Sequence, residues 1–147
     1  MKILAIASAG GHWIQLLRLL SAFEGHDISF MSTKASFAST VNGMSFYAVP
    51  DANRWNKLKL IYLAFRVAKV VYTLKPQVII STGAAPGLMG IIAGKLLGSK
   101  TIWVDSIANV EKVSLSGKIA LHFADKVYTQ WPDLATQKIT FAGNVLS

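Results

Sequence analysis

The run Ile3-Leu4-Ala5-Ile6-Ala7 is apolar at every position and ends directly in Ser8-Ala9-Gly10-Gly11-His12. A strand without a polar face must be covered on both sides, as in a parallel sheet sandwiched between helix layers. The double glycine ends that strand, because glycine adopts the turn geometry that other residues resist and lets another molecule approach the backbone. A helix-like pattern follows at once, from Trp13 to Phe23. The free N–H groups at such a helix start attract anions such as phosphate, and His12 sits at the mouth of the site.

The same alternation continues along the chain. Strands are predicted at Lys2–Ala7, Asp27–Met31, Ser45–Val49, Gln77–Ser81, Lys100–Val104 and Lys126–Thr129. Helices are predicted at His12–Phe23, Lys57–Leu74, Pro86–Leu97 and Ser114–Phe123. Short Val- and Ile-rich strands alternating with helices define an α/β fold, a Rossmann-like parallel sheet flanked by helices. With 147 residues, 52% of them hydrophobic, the chain is expected to be a single domain, 1–147, with ample core. It contains no repeat, low-complexity tract or interdomain linker.

The chain has no cysteine and only three scattered histidines, His12, His26 and His122, so neither disulfides nor a metal site is expected. Lack of cysteine fits a cytoplasmic setting, and Met1-Lys2-Ile3 enters the first strand without the regions of a signal peptide. Nor is there an apolar stretch of about 18 residues that could span a membrane. Charge is distributed unevenly. No Asp or Glu lies between Ala52 and Val104, where eight Lys and Arg fall; the remainder balances seven against seven, so the net +8 arises in the middle. Such a field attracts phosphates, nucleic acid or an anionic membrane surface.

Within that basic segment the predicted helix Lys57–Leu74 gathers Lys59, Tyr62, Arg66 and Lys69, with Trp55, into an arc of about 80°, and is otherwise mainly aliphatic. It can be a crossover helix with an ordinary solvated stripe. It can equally dock on a lipid interface, where Arg54 and the other cations meet headgroups while Trp55, Tyr62 and nearby aliphatics insert shallowly.

Two further loops belong to the carboxyl edge of the sheet, where α/β proteins bind ligands. Ser81-Thr82-Gly83-Ala84-Ala85-Pro86-Gly87 follows one strand and suits a phosphate or sugar hydroxyl, or simply a tight turn. Asp105, Ser106 and Asn109 follow the next. A nicotinamide site is disfavoured: the turn lacks G-x-G-x-x-G, and Met31-Ser32-Thr33-Lys34 lacks the acidic residue that would hold a ribose.

These segments, Ser8–His12, Pro76–Gly83, Val104–Val110 and Ala124–Tyr128 with Gln130-Trp131-Pro132, resemble the Alg14 family, which includes bacterial polysaccharide biosynthesis proteins of the EpsE/PssD/CpsF type. The resemblance runs in order along essentially the whole chain. It implies the N-terminal domain of a MurG-like GT-B glycosyltransferase. A GT-B enzyme needs two such domains enclosing a cleft, so the other is expected in an Alg13-like catalytic partner that binds the UDP-sugar. No cofactor is implied for this chain. Its implied tasks are to bring the partner to the cytoplasmic face of the membrane as a peripheral protein and to help hold a polyprenyl-diphosphate-linked sugar acceptor. The site residues implied are Gly10, Gly11, His12, Ser81, Thr82, Gly83 and Ala84, with Asp105 and Asn109 more loosely placed. The apolar tail Ile139–Ser147 is expected against the partner.

Glycosyl transfer needs a base for the acceptor hydroxyl and stabilisation of the leaving diphosphate. His12 suits the first role, or a contact to the acceptor diphosphate as imidazolium; Asp105 is the second candidate base, or a helix cap. The alternatives are a non-catalytic membrane scaffold and a nucleotide- or nucleic-acid-binding Rossmann protein. Nucleic acid is not expected, since the basic residues lie on a mostly apolar helix without a stacking pattern.

Overall fold

The structure, a computed structural model, describes residues 1–53 and 55–146. Its strands are β1 (Lys2–Ala7), β2 (Asp27–Ser32), β3 (Ser45–Ala48), β4 (Val78–Gly83), β5 (Lys100–Val104), β6 (Lys126–Thr129) and β7 (Thr140–Phe141). Its helices are α1 (Gly11–Leu17), α2 (Lys57–Leu74), α3 (Ala85–Leu96) and α4 (Leu115–Ala120). The strands form one sheet in the order β3-β2-β1-β4-β5-β6-β7, with every neighbouring pair parallel.

The apolar β1 behaves as its sequence requires. Leu4 and Ile6 pack with Leu63, Val67 and Val71 of α2 on one face. Ile3, Ala5 and Ala7 pack with Trp13 and Leu16 of α1 on the other. Helix α3 approaches closely because a Cβ at Gly90 would collide with Ile6 and one at Gly94 with Ile79. Here glycine removes bulk rather than supplying unusual dihedrals.

The structure departs from the expected elements at four places. The first helix ends at Leu17, and a separate 3₁₀ turn, Leu20–Phe23, buries Phe23. A second 3₁₀ segment, Ala35–Val41, carries Phe37, whose ring stacks on Trp13 at 5.2 Å. The helix expected at Ser114–Phe123 shortens to α4, with Ser114 as its cap. At the carboxyl end, β7 adds two residues to the sheet through Tyr128–Thr140 and Thr129–Phe141 pairing.

The β5–β6 side is pinned by Asp125. Its carboxylate accepts from Lys95 Nζ at 2.6 Å and from the Thr101 N–H and hydroxyl at 2.8 and 3.1 Å. The Lys95 hydrogen bond holds this carboxyl below its usual value, against the opposing effect of desolvation, with the Thr101 bonds and the Lys95 charge adding to the depression. Since the folded value is the lower one, the stabilisation is complete above the unfolded pKa, about 4, and disappears as pH falls through the folded value. Asp125→Asn is therefore expected to flatten the acid limb of stability below about pH 4 relative to wild type, measured as urea midpoints across pH 2–7.

The strand order places β1 between β2 and β4: the chain runs outward from β1 to β2 and β3, then crosses back past β1 to β4, where the direction of winding reverses. The carboxyl ends of β1 and β4 thus flank the switch point where such sheets open a crevice.

Candidate functional site

At this edge the glycine turn is tied to β4 by Ser8 N–H donating to the Gly83 carbonyl at 2.8 Å. Gly10 has φ +86°, a conformation glycine adopts readily, and caps α1 without a side chain. His12 then folds back over β4. Its Nδ1 lies 2.9 Å from the Thr82 carbonyl, while the Thr82 hydroxyl donates to the His12 carbonyl at 2.6 Å. A carbonyl can only accept, which assigns a proton to Nδ1. In the neutral ring Nε2 therefore carries the lone pair, and it has no hydrogen-bond partner among the described residues. The ring rests on Gly83: a Cβ built there would stand 2.6 Å from Nδ1 and 2.8 Å from Cε1. Only a residue without a side chain leaves room for this imidazole.

His12, Thr82, Gly83, Ala84, Asp105 and Asn109 line one hollow of about 230 Å³, closed by Trp103, Ser106, Ala108, Ser114 and Ser116. Six of the predicted site residues are brought together. Gly10 and Gly11 shape the neighbouring turn but do not line the hollow. Ser81 is fully buried and accepts the Gly83 N–H at 3.1 Å, beneath Gly87, so it supports the loop from inside. The start of α3 has no side-chain cap, and its second residue, Pro86, has no N–H and is buried, so Ala84 is the last residue of this loop to line the hollow.

The carboxylate of Asp105 is engaged within its own loop. Its two oxygens accept from Trp103 Nε1 at 3.0 Å, Ser114 Oγ at 2.6 Å, Ser114 N–H at 3.0 Å and Asn109 Nδ2 at 3.2 Å. Four donors occupy the carboxylate's four lone-pair sites, and the residue is 2% exposed. It is an organising residue for the loop. The cap function belongs to Ser114, whose hydroxyl accepts the Gly117 N–H at 2.9 Å. The sequence marks Ser114 as a helix start, with Ser114-x-x-Gly117 ahead of an apolar pattern, but gives no sign that Ser114 and Ser116 line the hollow.

A larger hollow, about 540 Å³, lies on the face of the sheet that α1 covers, floored by Ile80, Ile102, Val104 and Tyr128 and bordered by Ala142–Val145. Its mainly apolar floor offers packing surface rather than a catalytic constellation.

The basic helix has a broader apolar face than its arc of cations suggested. Leu58, Ile61, Phe65 and Tyr72 are all at least 65% exposed and sit on the solvent side with Tyr62 and Lys69, while Trp55 precedes them at 80% exposure. Arg66 is partly engaged: its guanidinium donates to Tyr62 Oη at 3.1 Å and to the Ala48 carbonyl at 3.4 Å. Lys59 and Lys69 are exposed. Arg54, also expected on this face, lies outside the described residues. Among the described residues no helix is long and apolar enough to cross a membrane.

This parallel sheet and its switch-point hollow define the Rossmann-like, N-terminal type of domain found in GT-B proteins. MurG from Acinetobacter baumannii superposes with a TM-score of 0.79 at 16% identity, over 98% of this chain and 45% of that one. The chain thus spans about half the length of that structure. Over residues 54–145 it matches the family described as oligosaccharide biosynthesis protein Alg14 like, and it belongs to that family. It is 31% identical to the UDP-N-acetylglucosamine transferase subunit alg14 of Schizosaccharomyces pombe, over 92% of this chain and 78% of the relative. Its identity to the ALG14 subunit of Yarrowia lipolytica is 29%, over 91% and 75% of the two proteins.

Proposed function

We propose that this protein is the acceptor-side subunit of a two-component glycosyltransferase, working peripherally at the cytoplasmic face of a membrane. An Alg13-like partner holds the UDP-sugar, and this chain holds a sugar linked to polyprenyl diphosphate. The relatives' names make UDP-N-acetylglucosamine the first donor to test. The observation that carries the reading is His12, fixed by Thr82 and Gly83 with a free Nε2 at the switch point of a half-length GT-B fold.

In the proposed step an acceptor hydroxyl attacks the anomeric carbon of the donor, the bond from that carbon to the UDP oxygen breaks, and UDP departs. His12 Nε2 takes the hydroxyl proton. Ser106 and Asn109, which line the hollow, bind the acceptor's diphosphate or sugar hydroxyls. The apolar face of α2 rests in the lipid interface and the C-terminal segment lies against the partner.

The decisive experiment recovers the tagged chain from detergent-solubilised native membranes and assays UDP-sugar transfer to a polyprenyl-diphosphate-linked sugar. Activity is expected in the recovered complex and absent from the chain alone. Activity of the isolated chain would overturn the division of labour. Inactivity of both, with UDP-N-acetylglucosamine and other UDP-sugars, would favour a scaffold.

A further inference from the structure

Gln15 is polar yet 3% exposed, and it lies one helical turn beyond His12 on α1. Its side-chain amide is used at both ends. Nε2 donates to the Asp105 carbonyl at 2.9 Å, and Oε1 accepts the Ile107 N–H at 2.9 Å. The Ile107 carbonyl in turn accepts from Trp131 Nε1 at 2.8 Å, and the Asp105 side chain holds Asn109 and Ser114. The loop that presents Ser106 and Asn109 to the hollow is therefore hydrogen-bonded directly to the helix that presents His12. A buried amide matched to one carbonyl and one N–H fixes register as well as distance, because a shift along the loop leaves both groups unpaired.

We infer that Gln15 is a positioning residue for acceptor binding: it locks the Asp105–Asn109 loop to the His12 helix, so that the two sides of the hollow act as one preformed site. The inference rests on the function proposed above. A loop released from Gln15 must be re-ordered by the ligand, which weakens apparent affinity by the fraction of time the competent arrangement is populated. Donor binding, assigned to the partner, is unaffected.

Gln15→Met keeps the length and volume of the side chain and removes both hydrogen bonds. In the assembled complex it is expected to raise the acceptor KM roughly tenfold or more while the donor KM stays within about twofold. In the chain alone, hydrogen exchange at Ile107 and Asn109 is expected to accelerate at least about tenfold, with β1 and β4 remaining protected. A merely structural role would lower the yield of folded protein and leave both KM values unchanged in what folds; that outcome overturns the inference, as does an unchanged exchange rate at Ile107. If the Met variant does not fold, Gln15→Glu carries the same test. It keeps an acceptor for Ile107 and loses the donor to Asp105, so acceptor KM is expected to rise and exchange at Asn109 to accelerate while Ile107 stays protected; an unchanged acceptor KM overturns the inference. Should the wild-type complex transfer no sugar, the proposed function fails, while the exchange measurement still decides whether Gln15 holds the loop.

Discussion

His12→Ala is expected to lower kcat of the assembled transferase by about 10²–10⁴-fold, the usual contribution of a positioned general base. The direction follows from geometry. The Thr82 carbonyl fixes the Nδ1–H tautomer at 2.9 Å, so Nε2 presents a lone pair toward an acceptor without first having to break a protein hydrogen bond. His12 is only half-buried, so alanine removes the ring at the cost of its one side-chain hydrogen bond, to the Thr82 carbonyl. Thermal stability should therefore change little. Gly83→Ala tests the same arrangement from below: its Cβ would displace the imidazole from Thr82, and Gly83 has φ +122°, so the variant should lose activity with His12 still present. Steady-state kinetics of the complex, with donor and acceptor varied in turn, separates the roles. A fall in kcat at constant acceptor KM supports proton transfer. A raised acceptor KM at constant kcat would instead assign His12 to the diphosphate, and no change in either would remove it from the chemistry.

The extent to which this site could be read from the sequence depended on how local each interaction is. Strands β1, β5 and β6 and helix α2 agree with their predicted bounds because apolar runs and helical periodicity are properties of neighbouring residues. The helical pattern from His12 to Phe23 concealed a break after Leu17, because the 3₁₀ turn still directs Phe23 inward and so preserves the apolar rhythm. Strand β7 is too short to have a pattern of its own; pairing with β6 creates it. The same distinction governs the hollow. Glycine and histidine announced the turn, and the fold supplied the contact between His12 and Thr82, 70 positions apart. The sequence leaves Asp105 as a candidate base or a helix cap, because three of its four hydrogen bonds come from Ser114 and Asn109, which only the folded loop brings to it. Gln15 carries no mark of its role in the sequence, because its partners lie 90 and 92 positions away.

Replacing both Lys59 and Lys69 by Glu is expected to weaken binding of the full chain to vesicles containing phosphatidylserine by about 30-fold or more, at roughly 1 kcal/mol for each surface cation lost before any repulsion is counted. Binding to neutral phosphatidylcholine vesicles should hardly change. The paired variant Leu58→Ser/Phe65→Ser should reduce binding to both kinds of vesicle, since it removes apolar area rather than charge. The two variants together test whether α2 docks by its full exposed face. Large apolar side chains at 81% and 66% exposure would be an ordinary surface feature singly; ranged with Ile61, Tyr62 and Tyr72 along one helix they form a continuous patch. Lys59 and Lys69 share its solvent side and accept no ion pair among the described residues, where Lys95–Asp125 is the salt bridge present. Their charge is thus available to headgroups, and neither substitution disturbs the buried Leu63, Val67 and Val71. Sedimentation with vesicles, accompanied by thermal melts, measures both properties. Wild-type binding that survives both pairs of substitutions would move the membrane contact off α2, whereas salt-sensitive retention of RNA without vesicle binding would replace the lipid reading with a nucleic-acid one.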